Sequence, residues 1–478
     1  MFPPFPQEKA EKICEELKRR IESGEIGIEQ VTKESEERKN QGLMIGSLVC
    51  LDQNGREISI VTNSGISRRL KIDGSLPFTY APPIVPPSEI EKALTKNDKE
   101  IHDLTARLKD LEQAKADSSV DSDIDSKIGE TKRRRKSLCE ESLSTVHALY
   151  KFNCLQANPE AKVRTLKEIC MERSRNRMEA FRLPPTGTGE CCAPKMLDYA
   201  IKNSLTPISM CEILLQSESD SKPIPPCDSR CAILLPAMLG LEILYRDSDI
   251  AVVNKQSGLL SVPGRITSDS VEERFRRLFP SVPKQPAVHR LDMETSGIMI
   301  LAMNKEALKN MNMMFEKGDV QKEYVALLDG NLMKALMEKP RTDKYFSMND
   351  EEINGRKFHG FMELYFRLDI ENRPHQIWDE ENGKKAVTEW EILDVERYKA
   401  PDGSTRNATR VLFKPHTGRT HQLRLASADP HGFGIPIIGD TLYGKCEDGE
   451  RLMLHAQKIT FPHPTTGEMM TIECKSPF

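Results

Sequence analysis

The chain reads as α+β in its C-terminal half, preceded by an N-terminal region that contains a helical coiled-coil hairpin. Three observations predict this. From Leu241 onward, apolar runs of strand length alternate with amphipathic stretches and tight polar turns. From Ile90, apolar residues recur in alternating steps of four and three, the pattern of a coiled-coil seam. A chain of 478 residues is also too long for one ordinary core, so several domains are expected.

Taken in order, residues 40–66 hold two β-rich runs, LMIGSLVCL and REISIV, on either side of Asn54-Gly55, a strong hairpin signal. The proline-rich APPIVPP (81–87) then breaks the chain. Ile90, Leu94, Ile101, Leu104, Leu108 and Leu111 follow as a seam in which Asn97 fills the one polar position. After a loop-like KADSSVDSD, a second helical stretch through KRRRKSLCEESLSTVHALYKF is expected to fold back on the first. The simplest reading is a solvated hairpin, and the basic run 132–136 keeps open an arm that contacts RNA or mediates self-association. These features divide the chain into a hairpin-containing segment (1–87), a helical arm (88–155), a cysteine-containing extension (156–238) and a C-terminal domain (239–478).

In that last domain, LEILYRDSDIAVVNKQSG predicts two short strands with a turn at Asp247–Asp249. SDSVEERFRRLFP predicts a helix with Ser268, Asp269 or Ser270 as its N-cap. GIMILAMN, EYVALLDG, KAVTEWEIL and RNATRVLFKP read as further strands, and 305–317 as a helix whose Met-rich face is packing rather than a cofactor site.

Apolar content of 38% with 30% charged residues fits a soluble protein. The N-terminus has no apolar core of a signal peptide and no run approaches a membrane span, so a cytoplasmic location with reduced thiols is expected. Cys191, Cys192, Cys227 and Cys231 could approach one another. Their spacings of zero and three differ from the usual C-x₂-C, no histidine lies close, and no metal is expected. A net charge of -4 argues against coating nucleic acid by bulk electrostatics but leaves room for a local basic groove.

Three polar knots carry the chemistry: HRLDMETSG (289–297), QKEYVALLDG (321–330) and HTGRTHQLRL (416–425). Phosphate-loop, dinucleotide, zinc-protease and nucleophile-elbow motifs are all missing, so those activities lose support. What remains is one strong carboxylate, Asp292, several arginines, and a strand tyrosine. A carboxylate can act as a covalent nucleophile where an arginine keeps it ionised, and arginines beside a flat aromatic suit a flipped base and its phosphates. Each residue alone has a plainer reading. Asp292 would be a loop acid, Tyr324 a half-buried strand residue, Arg419 a helix-start arginine bound to a carbonyl, and His289 and His421 scaffolding.

Together, and in this order, the three knots resemble the motifs of the RluA family of RNA pseudouridine synthases, HRLD-x-x-TSG, K-x-Y-x-A-L-x-x-G and GRTHQ-[IL]-R. LEILYRDSDIAVVNK, GIPIIGDTLYG and LHA…FPHP extend the resemblance over about residues 240–478. The resemblance implies a mixed, mainly antiparallel sheet with the active cleft across one face. It implies Asp292 as nucleophile, Arg419 as its ion-pair partner, Tyr324 against the base, and Arg290 as the residue that displaces the target nucleotide. His421, Gln422 and Arg424 would shape or support the site, with Leu423 beside the pocket. The implied reaction isomerises specific uridines in large-subunit ribosomal or transfer RNA, by a monomer needing neither cofactor nor metal. Gln256 stands where the family commonly has a proline, and Leu425-Ala426 where it often has V-H. The upstream PPTGTGECCAPKMLDYAI and P-P-C-x-x-x-C are similar to an extension found in longer bacterial members. The competing reading is an RNA- or ribosome-binding factor that kept the fold and lost catalysis, a protein free to lose the Asp–Tyr–Arg set retained here.

Overall fold

The computed structural model describes residues 5–32, 42–117, 122–155, 163–215, 222–227, 229–338, 343–349 and 358–478. It divides into two compact units, Met1–Arg175 with Glu179–Gly240, and Asn176–Met178 with Leu241–Phe478. No helix among the described residues is long and apolar enough to cross a membrane.

The first unit is built on a four-stranded sheet in the order Thr79–Tyr80, Glu57–Asn63, Leu43–Leu51, Thr206–Leu215. The hairpin turn lies at Asn54-Gly55, where Gly55 takes a φ of 76° and Asp52 Oδ1 accepts from the N–H groups of Asn54 and Arg56. Strand alternation places helices on both faces. Ser47 Oγ donates to the Ala10 carbonyl of helix Glu8–Glu22. At the neighbouring Gly46, an added Cβ would sit 2.7 Å from Cys192 Cβ at the start of helix Cys192–Lys202. The segments 1–87 and 156–238, separate in the sequence reading, therefore share one sheet. Leu43–Leu51 finds its partner strand Thr206–Leu215 more than 150 residues away, and local periodicity carries no trace of that pairing.

The same unit holds two long helices, Pro87–Asp117 and Ser122–Leu149. Of the expected loop KADSSVDSD, residues 118–121 lie outside the described residues, and 117 and 122 are already helical. Ile90, Leu108, Ile128 and Leu138 are buried between the helices, and the buried Asn97 donates to Ser142 Oγ at 3.1 Å. A satisfied polar pair in an apolar seam sets register. Exposed ion pairs Lys96–Glu141, Arg134–Glu100 and Lys132–Glu112 flank it, and Lys136 pairs with Glu140 of its own helix, so at least three of the five basic residues at 132–136 are engaged within the helix pair.

The second unit is an eleven-stranded sheet with helices packed on it. Its order is Phe346–Asn349, His359–Leu368, Lys384–Lys399, Thr405–Pro415, Gln321–Leu328, Leu454–Pro462, Ser296–Ala302, Ile250–Lys255, Glu242–Arg246, with Gln376–Trp378 and Met469–Glu473 added beside the second and sixth. Every pairing is antiparallel except Ser296–Ala302 with Leu454–Pro462, so the sheet is mixed and mainly antiparallel. Ile250, Val252, Ile298 and Ile300 face helix Lys305–Lys317 through Ala307 and Met311. Alternation sends Val253 and Lys255 to the opposite face, below the polar knots.

Candidate active site

Asp292 lies in a loop between the buried Leu291 and the strand Ser296–Ala302, and that loop is tied down carbonyl by carbonyl. Ser261 Oγ donates to the Leu291 carbonyl at 2.6 Å and accepts from the Leu291 N–H at 2.9 Å. Gly258 N–H and Lys255 Nζ both donate to the Met293 carbonyl, each at 2.8 Å. Ser257 Oγ donates to the Glu294 carbonyl at 2.6 Å. The segment 255–261 thus grips both sides of Asp292. The glycine ending HRLDMETSG has its own reason: Gly297 has a φ of 116°, and an added Cβ would lie 2.3 Å from the Ala456 carbonyl oxygen.

Lys255 is wholly buried and donates also to the carbonyls of Gln256 and Leu259, at 3.0 and 2.7 Å. Burial pushes its ammonium down to about 7, with the charge of Asp292 pulling the other way. Sequence reasoning missed this residue. The available signal was a lysine ending the otherwise apolar strand IAVVNK, where its side chain must enter the core.

The cleft beside Asp292 has a volume of about 370 Å³ and is lined by Leu260, Arg290, Glu294, His421, Arg424 and Leu442, among others. Arg290 is exposed at its edge. The Asp292 carboxylate keeps a quarter of its surface exposed, and His421 Nε2 lies 4.0 Å from it. Tyr324, on strand Gln321–Leu328, packs against the core beneath, and burial, then the charge of Asp292, push its phenol above the ordinary tyrosine range. It is therefore a protonated donor near neutral pH.

The third knot turns at His421, whose φ of 54° is left-handed and starts helix Gln422–Ala428. Gln422 is fully used: its Oε1 accepts from Thr417 Oγ1 and the Arg419 N–H, and its Nε2 donates to the Val387 carbonyl and Thr388 Oγ1. His421 Nδ1 meets the Tyr443 hydroxyl at 2.7 Å, and burial lowers the pKa of its ring against the opposing pull of Asp292. Leu423 belongs to the buried core and does not line the cleft.

The two arginines of this knot part company, and the expectation for Arg419 is corrected here. Arg419 is exposed, and its Nε donates to the Lys385 carbonyl at 3.0 Å rather than pairing with Asp292. It precedes the left-handed turn, which swings the helix, and not Arg419, towards the cleft. Arg424 is the cation at the site. It is buried, binds Asp440 through Nε and an Nη at 2.8 and 2.6 Å, and reaches Glu294 at 3.0 Å. Burial opposes its charge, but Asp440, followed by Glu294 and Asp292, holds the guanidinium above its usual pKa. Asp440 Oδ1 also accepts from the N–H groups of Leu442 and Tyr443, which explains the acid in GIPIIGDTLYG. His289 accepts from the Ile300 N–H at 3.0 Å and stacks on Phe315, so its ring is held neutral by burial, with its pKa pushed down to about 3.

Residues 249–429 match the family model of RNA pseudouridylate synthases. The dual-specificity RNA pseudouridine synthase RluA of Escherichia coli K12 is 37% identical over 243 residues, covering 50% of this chain and 94% of the relative. That of Haemophilus influenzae is 39% identical with the same coverage. The solved structure of human RNA pseudouridylate synthase domain containing 1 is 28% identical, covering 50% of this chain and 84% of that one, with a TM-score of 0.37. A curated relative more than a third identical, spanned over 94% of its length, assigns this chain to the RluA family of RNA pseudouridine synthases, which are isomerases.

Proposed function

We propose that the chain converts uridines in ribosomal or transfer RNA to pseudouridine, with Asp292 as the nucleophile. The observation that carries the reading is the contrast at Asp292. Its backbone is gripped from both sides, while its carboxylate has no ion-pair partner among the described residues closer than the His421 ring at 4.0 Å and faces a cleft able to take a base. A group held this firmly and left this free is poised to meet a substrate atom.

In the reaction the N1–C1′ bond of a uridine breaks, the uracil turns in place, and a C5–C1′ bond forms. C5 gives up its proton and N1 ends protonated, so atoms balance without oxidant, water or cofactor. Asp292 takes the developing charge at the sugar or adds to the ring. The target base leaves its stack at a cost of a few kcal/mol, recovered partly by packing on Tyr324 and by Arg290 at the cleft edge. Tyr324, kept protonated, offers its hydroxyl to the base or to Asp292. Arg424 supplies fixed positive charge beside the carboxylate, and the relatives' names, dual-specificity RNA pseudouridine synthases, support RNA as the substrate.

The test is tritium release from RNA carrying [5-³H]uridine, using bulk ribosomal and transfer RNA from a strain lacking the gene. Asp292→Asn is expected to lose at least roughly 10⁴-fold in rate with an unchanged melting temperature. Release at the wild-type rate by that variant would overturn the nucleophile, and no release by the wild-type chain from either RNA would overturn the substrate class.

A further inference from the structure

Far along the chain from the site just described, three cysteines of the first unit converge. Cys191, Cys227 and Cys231 bring their sulfurs within 4.8 Å of one another. Their immediate neighbour Cys192 takes no part. It is fully buried against Gly46, with its thiol towards the Met44 carbonyl. Two adjacent cysteines thus have opposite fates, one packed into the sheet and the other aimed away from it.

The delivery of Cys191 is rigid. It closes the loop TGTGE, in which Gly187 and Gly189 have φ of 77° and 104°. A Cβ at Gly189 would lie 2.9 Å from the Tyr150 ring, and the Tyr150 hydroxyl donates to the Glu190 carboxylate. Cys191 is the N-cap of helix Cys192–Lys202, yet its side chain makes no capping bond. That task is taken over by Glu212, whose carboxylate accepts from the Ala193 N–H at 2.7 Å. The thiol is left without the work its position usually carries. Cys231, also buried, opens helix Cys231–Leu239, and the Ala232 N–H returns to the Cys227 carbonyl at 3.3 Å, closing the C-x₃-C turn. Two helix N-termini therefore face the same three sulfurs, and their partial positive charge favours thiolates.

We propose that Cys191, Cys227 and Cys231 bind a zinc ion as three thiolates, with the fourth position taken by water on the side where Cys227 is exposed. Zn–S bonds of about 2.3 Å put tetrahedral sulfurs about 3.8 Å apart, so the three present need only close by an ångström or less. A disulfide would use two of them and leave the convergence of the third unexplained. The bound ion with three thiolates carries one net negative charge, and Arg230, inside the C-x₃-C turn, and Lys195 place positive charge towards Cys191. The ion would join the loop TGTGE to the C-x₃-C turn and so stabilise the first unit; it has no part in uridine isomerisation.

The experiment is metal analysis of the full-length chain purified with reductant and without chelator. About one zinc per chain is expected, retained by Cys446→Ser, an exposed cysteine elsewhere, and reduced at least tenfold in the Cys191→Ser/Cys227→Ser/Cys231→Ser variant. Should that variant not fold, the wild-type chain carries the test: stepwise mercurial titration releases its zinc, and cobalt(II) added in its place gives a thiolate-to-cobalt charge-transfer band. A wild-type chain that holds no zinc and gives no such band overturns the proposal. So does zinc retained by a folded triple variant, or a disulfide between two of these cysteines in reduced, freshly purified protein.

Discussion

Arg419 and Arg424 stand five residues apart in one knot, and the fold treats them oppositely. Arg419 lies on the solvent side of the left-handed residue His421 and rests on a backbone carbonyl. Arg424 lies one helical turn beyond it, buried, with both arms of its guanidinium on Asp440 and the charge of Asp292 within reach. The same contrast runs through the whole candidate site. Gln422 has every hydrogen-bond position filled and serves as framework, whereas Asp292 is held by its backbone and left open at its carboxylate. Saturated groups build the site, and the unsaturated one is available to substrate.

The sharpest way to break this comparison is Arg424→Met. It strands the buried Asp440 carboxylate, and removing one partner of a buried pair costs roughly 3–5 kcal/mol. Denaturant unfolding should show that loss. At a temperature where the variant is still folded, tritium release should fall at least roughly 100-fold, because the fixed charge beside Asp292 is gone. A variant that melts early but turns over normally would leave Arg424 as framework alone.

Lys255→Met tests the grip on Asp292. Three carbonyls lose their donor while a costly buried ammonium is removed, so the net destabilisation should be about 1–3 kcal/mol. The Met293 carbonyl adjoins Asp292, and loosening it should lower kcat roughly tenfold with little change in KM. An unchanged kcat would mean that Ser257, Gly258 and Ser261 suffice to hold the loop.

Much of this was legible. Six of the strands after Leu241 and the helices Val271–Leu278 and Lys305–Lys317 follow from apolar runs broken by turn residues, with Ser270 and Asn304 capping those helices, whereas His359–Leu368 and Leu454–Pro462, both within the sheet, are not among the strands read from the sequence. The three knots were legible because polar residues cluster where apolar periodicity lapses. Which arginine points inward was not. That depends on the positive φ at His421, a residue with nothing in its chemistry to demand it, and on Asp440, sixteen residues beyond Arg424. Lys255 has no reading of its own in the sequence, because only the finished sheet shows its side chain enclosed. The cysteines were set aside for spacing, since nothing local reveals that Glu212 relieves Cys191 of capping.

A smaller effect is expected from acid. His455 bridges Ser296 Oγ and the Cys474 carbonyl, and burial pushes its pKa down to about 4. The unfolded chain binds a proton near 6.5 where the folded one does not, so stability falls as pH drops from about 6.5 towards 4 and is fully present above that window. This residue accounts for up to roughly 3 kcal/mol of the loss. His455→Gln should be somewhat less stable at neutral pH yet show a flatter decline, measured as unfolding midpoints between pH 7 and 4.5. A decline as steep as the wild type would assign it elsewhere, to His289 in the first place.

The smallest effect belongs to Arg419. Its guanidinium is exposed and among the described residues its side chain bonds to the Lys385 carbonyl, so Arg419→Met should leave the melting temperature within a degree or two. The fold of the knot would survive because the part of Arg419 it uses is the backbone N–H on Gln422, which methionine keeps. On the chemistry, kcat for tritium release should stay within about threefold of wild type, and any change should appear in KM and fade as salt rises, as for a single phosphate contact. A collapse of kcat with KM intact would mean that RNA binding swings Arg419 past His421 and onto Asp292. The left-handed turn would then be a hinge, and the division of labour between the two arginines would hold only for the free protein.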